Sequence, residues 1–183
     1  MGDAGRATGQ EQQYADAAAA FGPALERLAR AYERDPDKRR DLLQEIHVAL
    51  WRSLARFDGR CSLRTWVYRV AHNTATSKVI RPQINAPRIV PLDDSVEPVS
   101  AAGREDQLLD RRRALERLRE LIRELRPLDR QVMLLYLEQL DGATIAEITG
   151  LSAANVATRV RRIKQTLTHR FYGEGGHGQS FGR

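Results

Sequence analysis

The chain has 183 residues, with 30 Lys+Arg against 24 Asp+Glu and a net charge of +6, enough for one ordinary domain or two small ones and favouring a polyanionic partner. No apolar run approaches the roughly 20 residues that cross a bilayer, so no membrane insertion is expected. The lone Cys61 forms no internal disulfide, and His47, His72, His169 and His177 show no metal-ligand spacing with it. Without a phosphate-binding glycine loop or nucleophile motif, neither a cofactor nor catalysis is expected.

Residues 1–14 are small and polar and read as a disordered arm. They lack the apolar centre of a signal peptide, which points to the cytoplasm. Helical periodicity then runs from Ala15 to Tyr32, with Phe21, Leu25, Leu28 and Tyr32 on one face and Pro23 as an interruption. Asp35-Pro36 punctuates the chain, and Asp35 is a candidate cap for a second helix through Leu42, Leu43, Ile46, Leu50 and Leu54. Phe57 to Cys61 reads as a loop. Ser62 can cap a third helix with Leu63, Trp66, Val67 and Val70 on its apolar side. The module 15–82 is thus a compact set of helices.

Periodicity fails over 83–104, where Pro87, Pro91 and Pro98 sit among acidic and small residues, so this stretch reads as a flexible acidic linker. Helical pattern returns near Glu105 with Leu108, Leu109, Leu115, Leu118, Leu121, Ile122 and Leu125. Pro127 then ends one helix and opens the next. Phe171 and Tyr172 are expected to pack the last turn of the module 105–172, and 173–183 reads as a flexible tail.

Leu140 to Lys164 carries the most information. Ile145 and Ile148 share a face of a short helix, Gly150 can stop it in the left-handed conformation, and Ser152 can cap the next helix. That next helix sets Val156, Val160, Ile163 and Leu167 on one side, and Asn155, Thr158, Arg159, Arg161, Arg162 and Lys164 on the other. A short helix, a tight turn and a basic second helix form the pattern of a helix-turn-helix that enters a DNA major groove. The charge is divided to match. Residues 15–82 carry 13 basic and 8 acidic side chains, 83–110 carry 2 and 6, and 111–172 carry 13 and 7. Two basic modules on either side of an acidic linker suggest two contacts with one polyanion.

Two stretches together resemble the extracytoplasmic-function (ECF) class of bacterial RNA polymerase sigma factors. DLLQEIHVALWRSLARFDGRCSLRTWVYRVAHNTA, Asp41 to Ala75, is similar to conserved region two of that family. LRPLDRQVMLLYLEQLDGATIAEITGLSAANVATRVRRIKQTL, Leu125 to Leu167, is similar to region four. The resemblance implies an all-α protein of two small helical domains joined by a flexible linker. It implies a transcription-initiation factor that binds core RNA polymerase, recognises −10 and −35 promoter elements and promotes DNA opening.

The resemblance also assigns residues. Asp41, Leu42, Gln44, Glu45, Leu50 and Trp51 match the helix that docks on the polymerase. Phe57, Asp58, Gly59, Arg60, Cys61 and Ser62 match the loop that captures a flipped −10 base, with Asn73 beside that pocket. Arg64, Arg69, Lys78 and Arg81 would hold phosphates. Ser152, Asn155, Thr158, Arg159, Arg161, Arg162 and Lys164 match the −35 reading helix. The chemistry is apt, because an aromatic ring can stack on an unpaired base and Arg or Asn can grip a base edge with two bonds. Each residue also has a plain structural use: Leu42, Leu50, Trp51, Phe57 and Trp66 as core, Cys61 as a small apolar side chain rather than a redox switch. The chain departs from the family at His47, Ala157 and Arg161. An anti-sigma protein is an expected partner, since basic DNA-facing surfaces and a flexible linker are easily occluded. The competing reading is a stand-alone helix-turn-helix regulator that binds duplex DNA as a dimer. It leaves residues 41–81 without a purpose. An enzyme acting on nucleic acid would need an acidic metal cluster or a nucleophile.

Overall fold

The computed structural model describes the backbone of residues 3–83 and 104–173, and the side chains of residues 9–78 and 109–173. The described residues form helices α1 (Asp3–Tyr32), α2 (Pro36–Leu54), α3 (Leu63–Gln83), α4 (Arg104–Glu124), α5 (Pro127–Leu137), α6 (Gly142–Thr149) and α7 (Ala153–Gly173), with no strand among them. The all-α expectation holds. Most of the expected linker, and the expected tail beyond Gly173, lie outside the described residues. The linker's two ends, Gln83 and Arg104, belong to helices.

The N-terminal arm differs from its reading. Asp3 to Tyr14 opens α1 instead of being disordered. Contacts distant in sequence account for this: Gln10 Nε2 donates to the Trp51 carbonyl at 2.8 Å, and the Tyr14 hydroxyl meets His47 Nδ1 at 3.0 Å. Local composition carries no trace of either. Pro23 does not break α1. A proline inside a helix costs about 3 kcal/mol. Complete burial of Leu25 and near-complete burial of Leu28 offset it at roughly 1.5–3 kcal/mol each.

Three helices form the first half. Asp35 caps α2 by accepting from the amides of Asp37 and Lys38, and Pro36 at the first helical position needs no amide partner. Ser62 Oγ accepts from the Thr65 amide at 3.0 Å and starts α3. Leu25, Leu42, Ile46, Leu50 and Val67 fill the core between α1, α2 and α3, closed by Tyr32, Leu54, Ala71 and Ala75. These apolar residues recur at helical spacing, so each helix presents one stripe inward.

The second half packs α4 to α7 around Leu121, Ile122, Val132, Leu135, Ile145, Ile148, Val156, Ile163 and Leu167. Asp141 caps α6 by accepting from the Thr144 amide at 2.7 Å. Gly150 stops α6 at φ 74°, a left-handed conformation that glycine adopts without Cβ strain, and its amide closes on the Ala146 carbonyl. Ser152 Oγ then accepts from the Asn155 amide at 3.3 Å, so the helix-turn-helix punctuation is as read. Phe171 packs on this core, one turn after Leu167. Tyr172 does not: it is 70 % exposed, because its neighbouring position points about 100° further round α7.

The halves touch. Ala24 and Tyr68 of the first join the second core, and Leu134 of the second packs against the first. Arg130 anchors this seam. It donates to the Arg123 and Leu125 carbonyls, unsatisfied by the end of α4, and places its guanidinium 5.4 Å from the centre of the Tyr32 ring.

Candidate nucleic-acid and partner interfaces

The exposed face of α2 is a stripe. Asp41, Gln44, Glu45, Val48 and Trp51 recur at three- and four-residue spacing and are all exposed. Trp51 is 45 % exposed and Val48 41 %, large apolar surface for one helix to leave in water. Leu42 and Leu50 do not belong to this stripe. They are 1 % and 0 % exposed and lie in the core. Val48 was missed by sequence reasoning, although its spacing from Gln44 and Trp51 was the available signal. Glu45 forms an ion pair at 2.8 Å with Lys78 of α3.

The loop after α2 holds Phe57 half-buried, with its ring 5.5 Å from that of Trp66. Asp58, Gly59, Arg60 and Ser62 are exposed and Cys61 is half-buried. Arg60 bonds its own loop through Asp58 at 3.0 Å, and Gly59 turns the chain at φ 74°. Asn73 is exposed on α3. Its neighbour His72 faces inward and is 1 % exposed, with Nδ1 at 3.2 Å from the Tyr32 hydroxyl. Burial pushes the His72 imidazole down to about 3, and the nearby Glu138 carboxylate only partly opposes this. The side chain of Arg81 lies outside the described residues.

Arg64 and Arg69 do not face open solvent alone. Arg64 donates to the Glu138 carbonyl at 2.7 Å, and Arg69 pairs with Glu147 of α6 at 2.8 Å. Glu138 is the centre of this clasp. Its carboxylate takes two bonds of 2.7 Å from Arg27 and one of 3.1 Å from the Tyr68 hydroxyl. The Arg27 bonds hold the Glu138 carboxyl below its ordinary range despite burial. Burial and the Glu138 charge push the Tyr68 phenol up to about 12. Exposed ion pairs contribute at most about 1 kcal/mol each. Glu138→Gln with Glu147→Gln is therefore expected to loosen the two halves without melting either. Small-angle scattering at low salt should report a larger radius of gyration with unchanged circular dichroism. An unchanged radius would assign the seam to its apolar contacts.

Ser152 just before α7, and Asn155, Thr158, Arg161, Arg162 and Lys164 on it, are exposed, and Arg159 is half-buried. They occupy the side opposite Val156, Ile163 and Leu167, and its flanks. Lys164 sits 5.5 Å from the centre of the Tyr136 ring. Arg159 and Arg162 converge on Asp129 of α5, at 2.6 Å and 3.2 Å, and Arg126 reaches the same carboxylate at 2.9 Å. Burial opposes ionisation of Asp129, but the bonds from Arg159 and Arg126 outweigh it and hold the carboxyl below its ordinary value. Asp129 was not read from the sequence. It lies 30 residues from Arg159, and no local pattern joins them.

The exposed apolar-acidic stripe, the loop and the basic helix-turn-helix all lie within stretches that known family models match. Sigma-70 region 2 matches residues 18–81. Sigma-70, region 4 matches residues 115–167. The chain belongs to the sigma-70 family, in its ECF class. It is 30% identical over 138 residues to ECF RNA polymerase sigma factor SigK of Mycolicibacterium vanbaalenii, covering 73% of this chain and 67% of that protein. It is 29% identical over 129 residues to RNA polymerase sigma factor YlaC of Bacillus subtilis, covering 70% and 74%. The fold matches that of CnrH in complex with the cytosolic domain of CnrY, with a TM-score of 0.65 over 93% of this chain and 94% of that one, at 22% identity. This ECF sigma factor is a transcription-initiation protein, and the stand-alone regulator reading is not favoured: region 2 accounts for the residues it left without a purpose. No described helix is long and apolar enough to cross a membrane.

Proposed function

We propose that the ECF sigma factor docks on core RNA polymerase through the exposed α2 stripe Asp41, Gln44, Glu45, Val48 and Trp51. Apolar anchors ringed by carboxyl and amide groups suit a basic, grooved partner. Loop 57–62 and Asn73 capture an unpaired −10 base, with Phe57 as the floor on Trp66, and Arg60, Arg64, Arg69, Lys78 and Arg81 near phosphates. The exposed polar side of α7, from Ser152 to Lys164, reads the −35 duplex. The factor performs no chemistry of its own. An anti-sigma protein covering these basic faces is part of the same reading. It is supported by the likeness in fold to sigma factor RpoE of Bartonella quintana, whose structure was determined in complex with the anti-sigma factor NepR.

The observation that carries the docking assignment is the exposed Val48–Trp51 pair on a helix whose Leu42 and Leu50 are already used by the core. The test is retention by immobilised core polymerase. Gln44→Ala with Glu45→Lys should lower retention by roughly tenfold, within the range for truncating interface residues. Promoter-specific transcripts should fall in parallel while the melting profile is kept. Undiminished retention would remove α2 from the interface.

A further inference from the structure

We propose that Asp129 is a positioning residue for promoter reading: its buried carboxylate holds Arg159 and Arg162 in one geometry, so that α5 sets the base selectivity of α7. This rests on the reading of α7 as the −35 helix. Asp129 is 5 % exposed and lies in the first turn of α5, where the backbone dipole favours a negative charge. Its Oδ1 accepts from Arg159 Nη1 at 2.6 Å and from Arg162 Nη2 at 3.2 Å. Its Oδ2 accepts from Arg162 Nη2 at 3.2 Å and from Arg126 Nε and Nη2 at 3.1 and 2.9 Å.

Arginine side chains have many rotamers, and two of them three residues apart on one helix repel. A shared carboxylate removes both problems. It fixes the planes of the guanidinium groups and cancels part of their charge. Each guanidinium has five donors, and neither Arg159 nor Arg162 spends more than two of those bonds on Asp129. The Arg162 side chain remains 55% exposed and that of Arg159 29%, so donors are left for a base edge or a phosphate. One negative charge among three positive ones leaves the site cationic. Asp129 therefore lowers indiscriminate attraction to DNA while sharpening the geometry of reading, since phosphate attraction carries no sequence information and base-edge geometry does.

A merely stabilising Asp129 and a positioning one predict different results. The full chain is assembled with core RNA polymerase and tested on promoters with a randomised −35 element. Asp129→Asn should reduce the ratio between best and worst sequences by roughly tenfold, the scale of one base-specific contact. It should also raise affinity for unrelated duplex at low salt. Added to the pair Arg159→Ala and Arg162→Ala, Asp129→Asn should cost no further discrimination, because Asp129 acts through those two side chains. If Asp129→Asn does not assemble, Asp129→Glu carries the test: it keeps the charge, displaces the carboxylate by one methylene and should alter the base profile. A wild-type base profile in the variant tested, additive losses, or an equal loss on all sequences in step with a lower melting temperature would overturn the role of Asp129. Absence of any −35 preference in the wild-type holoenzyme would overturn the α7 reading itself, and the role of Asp129 with it.

Discussion

Leu50→Ala is expected to unfold the first half of the protein, while Trp51→Ala, one residue away, leaves it folded. Leu50 is fully buried among Leu25, Leu42, Ile46 and Val67. Truncating such a leucine removes its transfer free energy and leaves a cavity, at a cost of about 2–5 kcal/mol. That is a large part of the stability of a small domain. Trp51 leaves nearly half of its surface in water, and its contribution to the fold includes a backbone carbonyl that alanine retains. Urea titration followed by circular dichroism should show an early transition for Leu50→Ala only. Polymerase retention should fall for both, through loss of the fold in one case and loss of the contact in the other. A Leu50→Ala protein that melts like wild type yet loses the polymerase would return Leu50 to the docking face.

Acid is expected to weaken the fold well before its carboxylates titrate. The unfolded chain protonates His72 near the ordinary value of 6.5, while the folded chain keeps it neutral down to about 3. Between those values the unfolded state binds more protons, so stability falls as pH falls, at up to about 1.4 kcal/mol per pH unit. By pH 5 the loss is about 2 kcal/mol. The lowered carboxyls of Asp129 and Glu138 act at lower pH, in a window that overlaps only the acid end of the histidine one. Their stabilisation is complete above the ordinary carboxylate range and disappears as pH drops through their depressed folded values. Thermal melts from pH 7 to pH 4.5 should reveal the histidine effect. His72→Gln should flatten the slope over that span, even if it lowers the melting temperature at pH 7. A wild-type slope in His72→Gln would assign the acid sensitivity elsewhere.

Elements whose cause is local were legible in the sequence. Asp35, Ser62, Gly150 and Ser152 act on neighbours two to four residues away, and each is used as its spacing implied. Helix faces were legible for the same reason, since the 3.6-residue period is written in the chain. What escaped depends on long separations. The start of α1 relies on Gln10 meeting Trp51, and the continuity of α1 past Pro23 relies on burial against α2 and α3. Among candidate site residues, the matched set mixed two populations that only packing separates: Leu42 and Leu50 inside, Asp41, Gln44, Glu45 and Trp51 outside. Asp129 and Glu138 gather arginines from 30 and 111 residues away, and no motif spells such a convergence.

The clasp at Glu138 also has a kinetic meaning. Arg27, Arg64 and Tyr68 lie 111, 74 and 70 residues from it, whereas the caps close over only two to four residues. Closing a longer loop costs more entropy before any contact repays it, so the clasp is expected to form after each helical half has its own core. Run backwards, the same order makes the seam the first thing to open. Amides at the α5–α6 turn should therefore exchange with solvent through a sub-global opening cheaper than unfolding either half. Such an opening would let the chain present two separate folded bodies along a promoter without melting either.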